Sequence, residues 1–172
     1  MALSSARIQE AQKLYIELLD AELAEVLERA SASADDPNSY YVELPETSSV
    51  DYNIEELASR VARISNKYFT ISRDCGIARA KLKQCEASYK AKYKRSLRGA
   101  NAQEREANAM EASADLLTEL SLVESLVART EQAESYARLA SESARKLLDK
   151  SQAMQIATAR ESAGFYMDKD FH

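Results

Sequence analysis

The sequence predicts an all-α protein: a long antiparallel helical hairpin of coiled-coil type, with an additional N-terminal helix packed on it. Three observations predict it. Ile54, Leu57, Val61, Ile64, Tyr68, Ile71, Cys75, Ala78, Leu82, Cys85 and Tyr89 follow one another at alternating spacings of three and four. An apolar repeat of 3.5 residues belongs to a helix lying along another helix. The composition, with 3 Gly, 2 Pro, no Trp and 30% charged residues, is that of long helices rather than of a sheet protein. Finally, one turn-rich stretch and one short glycine turn cut the 172 residues into three helical segments. The expected organisation is a single elongated domain over 1–172, with helices at 4–30, 53–98 and 102–163, a strap at 31–52 and a tail at 164–172.

The first helix starts at Ser4 or Ser5, either of which can cap it. Its apolar residues (Ile8, Ala11, Leu14, Tyr15, Leu18, Leu19, Leu23, Val26 and Leu27) cover a face wider than a two-stranded seam, which predicts more than one neighbour. Its outward face carries Glu10, Glu17, Asp20, Glu22, Glu25 and Glu28. The strap holds SASADDPNS and two prolines, Pro37 and Pro45, each a helix stop. Between them, residues 40–44 have strand-like composition. A lone strand has no partner here, so an extended segment packed on the helices is expected.

Asp51 or Asn53 caps the central helix, with Glu55 and Glu56 in its first turn, where the helix dipole favours them. Gly76 is expected to mark a close contact or a gentle bend. After Tyr89 the seam slips: Lys92 holds the next expected position, and Tyr93 and Leu97 take over at spacings of four, a change that locally unwinds a coiled coil. Gly99 then makes the turn. In the third helix Leu116, Leu120, Val123 and Val127 form a seam with Leu117, Leu122 and Leu126 beside it, a double-width zone where the first helix can dock. Ala133, Ala137, Ala140, Ala144 and Leu147 form a narrower seam that permits close approach. A turn at Gly99 puts Leu82 near Thr118 and Ile54 near Lys146. Residues past Leu148 then overhang, and Met154, Ile156 and Ala157 need another partner, the strap or a second subunit of a homo-oligomer. Gly164 ends the helix, leaving a short aromatic-acidic tail.

Recognisable catalytic parts are missing, and a non-enzymatic role is expected, without cofactor or metal. The one histidine is His172. No Glu-x-x-His pair is present, nor a Cys-x-x-Cys, a glycine-rich phosphate loop or a Gly-x-Ser-x-Gly elbow. Cys75 and Cys85 occupy seam positions, where a thiol acts as a small apolar group. Ten residues of helix separate them by roughly 15 Å, too far for a bridge. The N-terminus lacks the plan of a signal peptide and no apolar run is long enough for a membrane span, so a reduced cytoplasmic setting away from membranes is expected.

The functional signal is charge. Arg79, Lys81, Lys83, Lys90, Lys92, Lys94, Arg95, Arg98 and Arg105 are opposed between 79 and 105 only by Glu86 and Glu104, in a chain of net charge −5. Lys83, Lys90, Lys94 and Arg98 fall near one stripe, and Lys81, Lys92 and Arg95 near another, with Tyr89 and Tyr93 between them. Cations track a phosphate backbone while aromatic rings stack on unpaired bases, so single-stranded DNA is the favoured partner of this hairpin tip. An acidic protein partner, another copy's acidic body included, fits the same charge.

Y-x3-Y-K-R-S-L-R-G followed by Q-E-R-E-A and a long Ala-rich helix, over about 89–160, resembles small helical proteins of tailed phages encoded among replication and recombination genes. The resemblance implies an accessory role in phage DNA metabolism, beside a strand-annealing recombinase, in the host cytoplasm. It carries over no catalytic residue, and the first helix and the strap have no counterpart in it.

Overall fold

The computed structural model describes residues 5–43 and 53–167, with side chains over 5–43 and 53–161. Ser4, Pro45, Asp51 and His172 lie outside the described residues. Three helices make the fold, α1 (Ser5–Ser31), α2 (Ile54–Ser96) and α3 (Ala102–Met167), and no strand occurs among the described residues. The expected all-α hairpin with a docked N-terminal helix is the observed architecture. Two compact units divide it, one of Met1–Tyr40 with Ile71–Glu134, the other of Tyr41–Thr70 with Ser135–His172.

The repeat on α2 does what its spacing predicts. All eleven positions from Ile54 to Tyr89 are buried or half-buried, with Leu57, Ile71, Cys75 and Ala78 fully enclosed. Asn53 is the cap: its Oδ1 accepts the Glu55 N–H at 3.0 Å and its carbonyl accepts the Leu57 N–H.

In the first unit Val26, Ala30, Ala78, Leu126 and Val127 form the core where the three helices meet, with Leu23, Tyr40, Ile77 and Leu82 packed around it. α1 therefore docks at the zone anticipated for it, but only through its C-terminal half. Ile8, Leu14, Tyr15, Leu18 and Leu27 are 45–59% exposed, so the broad face does not find several neighbours. Ala80, Lys83 and Gln84 of α2 line a groove with Ile8 and Tyr15, and they offer little apolar surface to close on. Leu117 and Leu122 are likewise exposed, which narrows the double-width zone to its 123–127 end.

Two charge pairs set the direction of α1. Arg29 reaches Asp74 through Nε at 2.6 Å and Nη2 at 2.9 Å, and Asp20 Oδ1 lies 2.7 Å from Lys81 Nζ. The later residue of α1 meets the earlier residue of α2, so the two helices run antiparallel. Turning α1 around would set Asp20 against Asp74 and Arg29 against Lys81, like charge on like charge.

Of the strap, the described residues 32–43 are irregular and pack on helices, and residues 44–52 lie outside the described residues. Asp36 Oδ1 accepts the Asn38 N–H at 2.8 Å, closing the turn around Pro37 as an aspartate side chain commonly does. Tyr40 then donates its hydroxyl to Asp74 Oδ2 at 2.9 Å in the first unit. In the second unit Val42 is buried. There the narrow seam is also as read, with Ala137, Ala140 and Ala144 fully buried, and Ser65 Oγ meets Ser141 Oγ at 3.3 Å.

Three expectations are corrected. The register of α2 on α3 is shifted by about a helical turn. Ser72 meets Glu134 and Cys85 reaches Glu119, where a pairing centred on Gly99 would set Ala128 and Asp115 opposite them. The capped first turns of α3, residues 102–108, are exposed, and burial on α3 begins only at Ala109. Of the two readings of Gly76, a close contact or a gentle bend, the close contact is corrected: an added Cβ would meet nothing within 4 Å. Gly164 does not end α3, which continues to Met167, since one glycine costs a helix only about 1 kcal/mol. Met154, Ile156 and Ala157 are exposed.

Gly99 carries the turn with φ +155°, and a Cβ there would sit 3.0 Å from Glu104 Cγ and 3.1 Å from the Arg105 nitrogen. Gly99→Ala is expected to lower stability by about 1–3 kcal/mol, the range for a side chain forced into disfavoured backbone. Urea unfolding measures it.

Candidate nucleic-acid interface

The end of the hairpin is built by the connection between α2 and α3. α2 stops at Ser96, so Arg98 lies in the connection and not on the α2 stripe where the sequence placed it. Asn101 caps α3 by accepting the Glu104 N–H on Oδ1 at 2.8 Å, and Glu104 Oε2 accepts the Ala100 N–H at 2.9 Å. That reciprocal arrangement is a variant of the capping box. Asn108 Nδ2 donates to the Arg98 carbonyl at 2.8 Å, which ties the connection to the second turn of α3. Glu104 is thus engaged by backbone, Arg98 projects from a braced connection, and Arg105 from the first turn of α3.

Lys90, Lys92, Lys94 and Arg95 sit on the last two turns of α2, and all are exposed, as are Arg98 and Arg105. Lys90 pairs with Glu86 at 3.2 Å, an exposed i,i+4 contact of small energetic weight. Among the described residues Lys92, Lys94, Arg95, Arg98 and Arg105 have no carboxylate partner. Tyr89 and Tyr93 are half-buried neighbours on the next face, ring centroids 5.9 Å apart and planes inclined by 35°. α3 brings Glu104, Glu106 and Glu111 to its own first turns, so apart from Arg105 the positive charge belongs to α2 and the connection.

The other cations of the basic stretch are spent inside the protein. Arg79 pairs with Glu131 at 3.0 Å and Glu134 at 3.8 Å. Lys81 is buried between Asp20 at 2.7 Å and Glu119 at 3.1 Å. Burial pulls its ammonium pKa down, but the two carboxylates outweigh that and the net direction is up. Lys83 stands apart from the tip, two turns before Lys90, on the wall of a groove between α1 and α2. The structure therefore brings together eight of the nine residues expected to contact nucleic acid and leaves Lys83 elsewhere.

Two polar clusters escaped the sequence reading. Asp74, fully buried, accepts hydrogen bonds from Arg29 and Tyr40. The Tyr40 phenol is held well above its usual range by burial first and by Asp74 second. The available signal was the seven-residue spacing of Asp74 and Lys81, a second and charged seam beside the apolar one. In the second unit Arg60, Arg63 and Lys67, with Tyr41 and Glu43, surround a pocket of about 330 Å³. Arg60 is paired there with Glu56 at 3.1 Å.

Both thiols are free and buried. Burial, reinforced by Glu119, pushes Cys85 up to about 11 from an ordinary 9.0, and burial also raises Cys75. A folded-state pKa above the unfolded one gives stability that is complete below the unfolded value and lost as pH rises through the folded value. Stability is thus expected to hold up to pH 9 and to fall between 9 and 11. Cys85→Ala should flatten that fall, as urea unfolding across the range would record.

Among the described residues no group of His, Cys, Asp and Glu is arranged to hold a metal ion, and no helix is long and apolar enough to cross a membrane. No protein-family model matches the chain, and no curated protein or solved structure matches it significantly.

Proposed function

We propose that the chain is a non-enzymatic accessory protein that binds nucleic acid through the α2–α3 end of the hairpin, single-stranded DNA in preference to duplex. The observation that carries this reading is the set of five exposed cations without carboxylate partners, Lys92, Lys94, Arg95, Arg98 and Arg105, beside the Tyr89–Tyr93 pair. A merely solvated surface needs no single sign of charge, and the neighbouring Arg79 and Lys81 show that this chain pairs its cations where it uses them for folding. Guanidinium and ammonium groups neutralise phosphates, and tyrosine rings give stacking without base preference. The sequence resemblance implies that this activity serves phage DNA metabolism, beside a strand-annealing recombinase.

Fluorescence anisotropy with a labelled oligonucleotide, single-stranded and as duplex, tests the reading. The single strand should bind more tightly. Tyr93→Ala should weaken it about 5- to 100-fold, the equivalent of one stacked base, while Tyr93→Phe retains binding. Equal affinity for duplex and indifference to Tyr93→Ala would remove the single-strand preference. A second reading, a structural or adaptor coiled coil that self-associates or takes an acidic protein partner, is favoured by the exposed apolar residues of α1.

A further inference from the structure

Between the N-terminal half of α1 and α2 lies an open groove of about 1120 Å³. Ile8, Ala11, Tyr15 and Ile16 wall it on one side, and Gly76 and Ala80 on the other. Gly76 leaves the α2 side low, because no side chain stands there and a Cβ would meet nothing within 4 Å. The charged residues at the groove are Arg7, Arg79 and Lys83, with no carboxylate among its lining residues. Arg79 is already paired with Glu131 and Glu134, whereas Arg7 and Lys83 have no ion pair among the described residues.

The matching surface lies on the same helix. Glu10, Leu14, Leu18 and Glu22 follow at spacings of four, which makes them one ridge along α1. Leu14 and Leu18 are 57% and 59% exposed, and Glu10 and Glu22 have no ion pair among the described residues. The ridge borders the groove, since Leu14 is seven residues from Arg7 and three from Ala11 on the helix surface. Scattered apolar residues on a surface are ordinary. Here they form a ridge closed at both ends by carboxylates, next to an apolar groove edged by cations.

We propose that this groove receives the α1 ridge of a second copy of the chain, forming a two-fold symmetric dimer. Leu14 and Leu18 of each copy enter the other's groove, and Glu10 and Glu22 meet the cations Arg7 and Lys83. Because ridge and groove share one helix, a single two-fold axis makes both insertions at once, as an isologous interface requires. The occupant is a second copy rather than a foreign segment because α1 itself supplies both the apolar and the acidic complement. This proposal is independent of nucleic-acid binding, and it places the interface on α1 rather than at Met154, Ile156 and Ala157.

Sedimentation equilibrium of the full chain across micromolar concentrations tests it. The expected result is a monomer–dimer equilibrium that Leu14→Glu with Leu18→Glu weakens about 100-fold or more, a tenfold change being 1.4 kcal/mol, with the circular-dichroism spectrum unchanged. Should that variant fail to fold, the surface variant Lys83→Glu gives the answer. It should weaken the dimer about tenfold, and Glu10→Lys or Glu22→Lys in the same chain should restore it. A wild-type chain that stays monomeric, the result if the groove takes a foreign helix or an anionic amphiphile, overturns the proposal. So does a dimer indifferent to both sets of changes, or one lost only on changing Met154 and Ile156.

Discussion

Asp74→Ala is expected to lower the stability of the protein by about 3–5 kcal/mol, the range for removing one partner of a buried ion pair. The carboxylate is fully buried and receives both arms of the Arg29 fork together with the Tyr40 hydroxyl. Its removal leaves a guanidinium only 18% exposed and a half-buried phenol without their acceptor. Three segments lose a common anchor: the end of α1, the strap at Tyr40 and the middle of α2. Glu25 also touches Arg29, at 3.3 Å, but from a side chain 66% exposed. Glu25→Ala should therefore change stability by less than about 1 kcal/mol. Urea denaturation of the two variants separates the cases, and equal small losses would show that Asp74 is not the anchor.

The second large effect concerns binding. Lys92→Glu, Lys94→Glu and Arg95→Glu together are expected to reduce affinity for a single-stranded oligonucleotide by about 1000-fold, roughly tenfold for each phosphate no longer neutralised. The three residues are exposed and without carboxylate partners, so the fold should be nearly indifferent, within about 0.5 kcal/mol. Reversing Arg79 and Lys81 is the instructive contrast. Those cations serve Glu131, Glu134, Asp20 and Glu119, and their reversal should injure stability far more than it injures binding. Paired anisotropy and unfolding measurements on both variants would read the crossover.

Much of the fold is legible in the order of apolar residues. The α2 seam follows from spacing alone, because a strict alternation of three and four leaves one face for the partner helix and every seam residue lands on it. The narrow alanine seam of α3 is legible for the same reason. The register is not, because Gly99 marks where the chain turns while α3 spends its first capped turns before it packs. The docking of α1 is only half legible: Val26 and Leu126 announce an apolar contact, but Asp74 and Lys81 read as solvated charges until their partners Arg29 and Asp20 are seen. At the tip, the excess of positive charge is plain from the sequence. Which cations remain available is not, since the carboxylates that engage Arg79 and Lys81 come from other helices. The wide apolar face of α1 predicted neighbours that the single chain does not supply, and that surplus is what points to a second copy.

The central claim is that the α2–α3 end binds nucleic acid through phosphate contacts, and the salt dependence of binding to a single-stranded oligonucleotide tests it most directly. Each phosphate contact contributes a slope of about −0.7 in the logarithm of affinity against the logarithm of salt concentration. Five such cations, Lys92, Lys94, Arg95, Arg98 and Arg105, predict a slope of about −3.5, falling to about −1.4 in the triple reversal variant. Absence of binding at about 50 mM salt, where phosphate contacts are strong, or a slope near zero that the variant leaves unchanged, would contradict the claim.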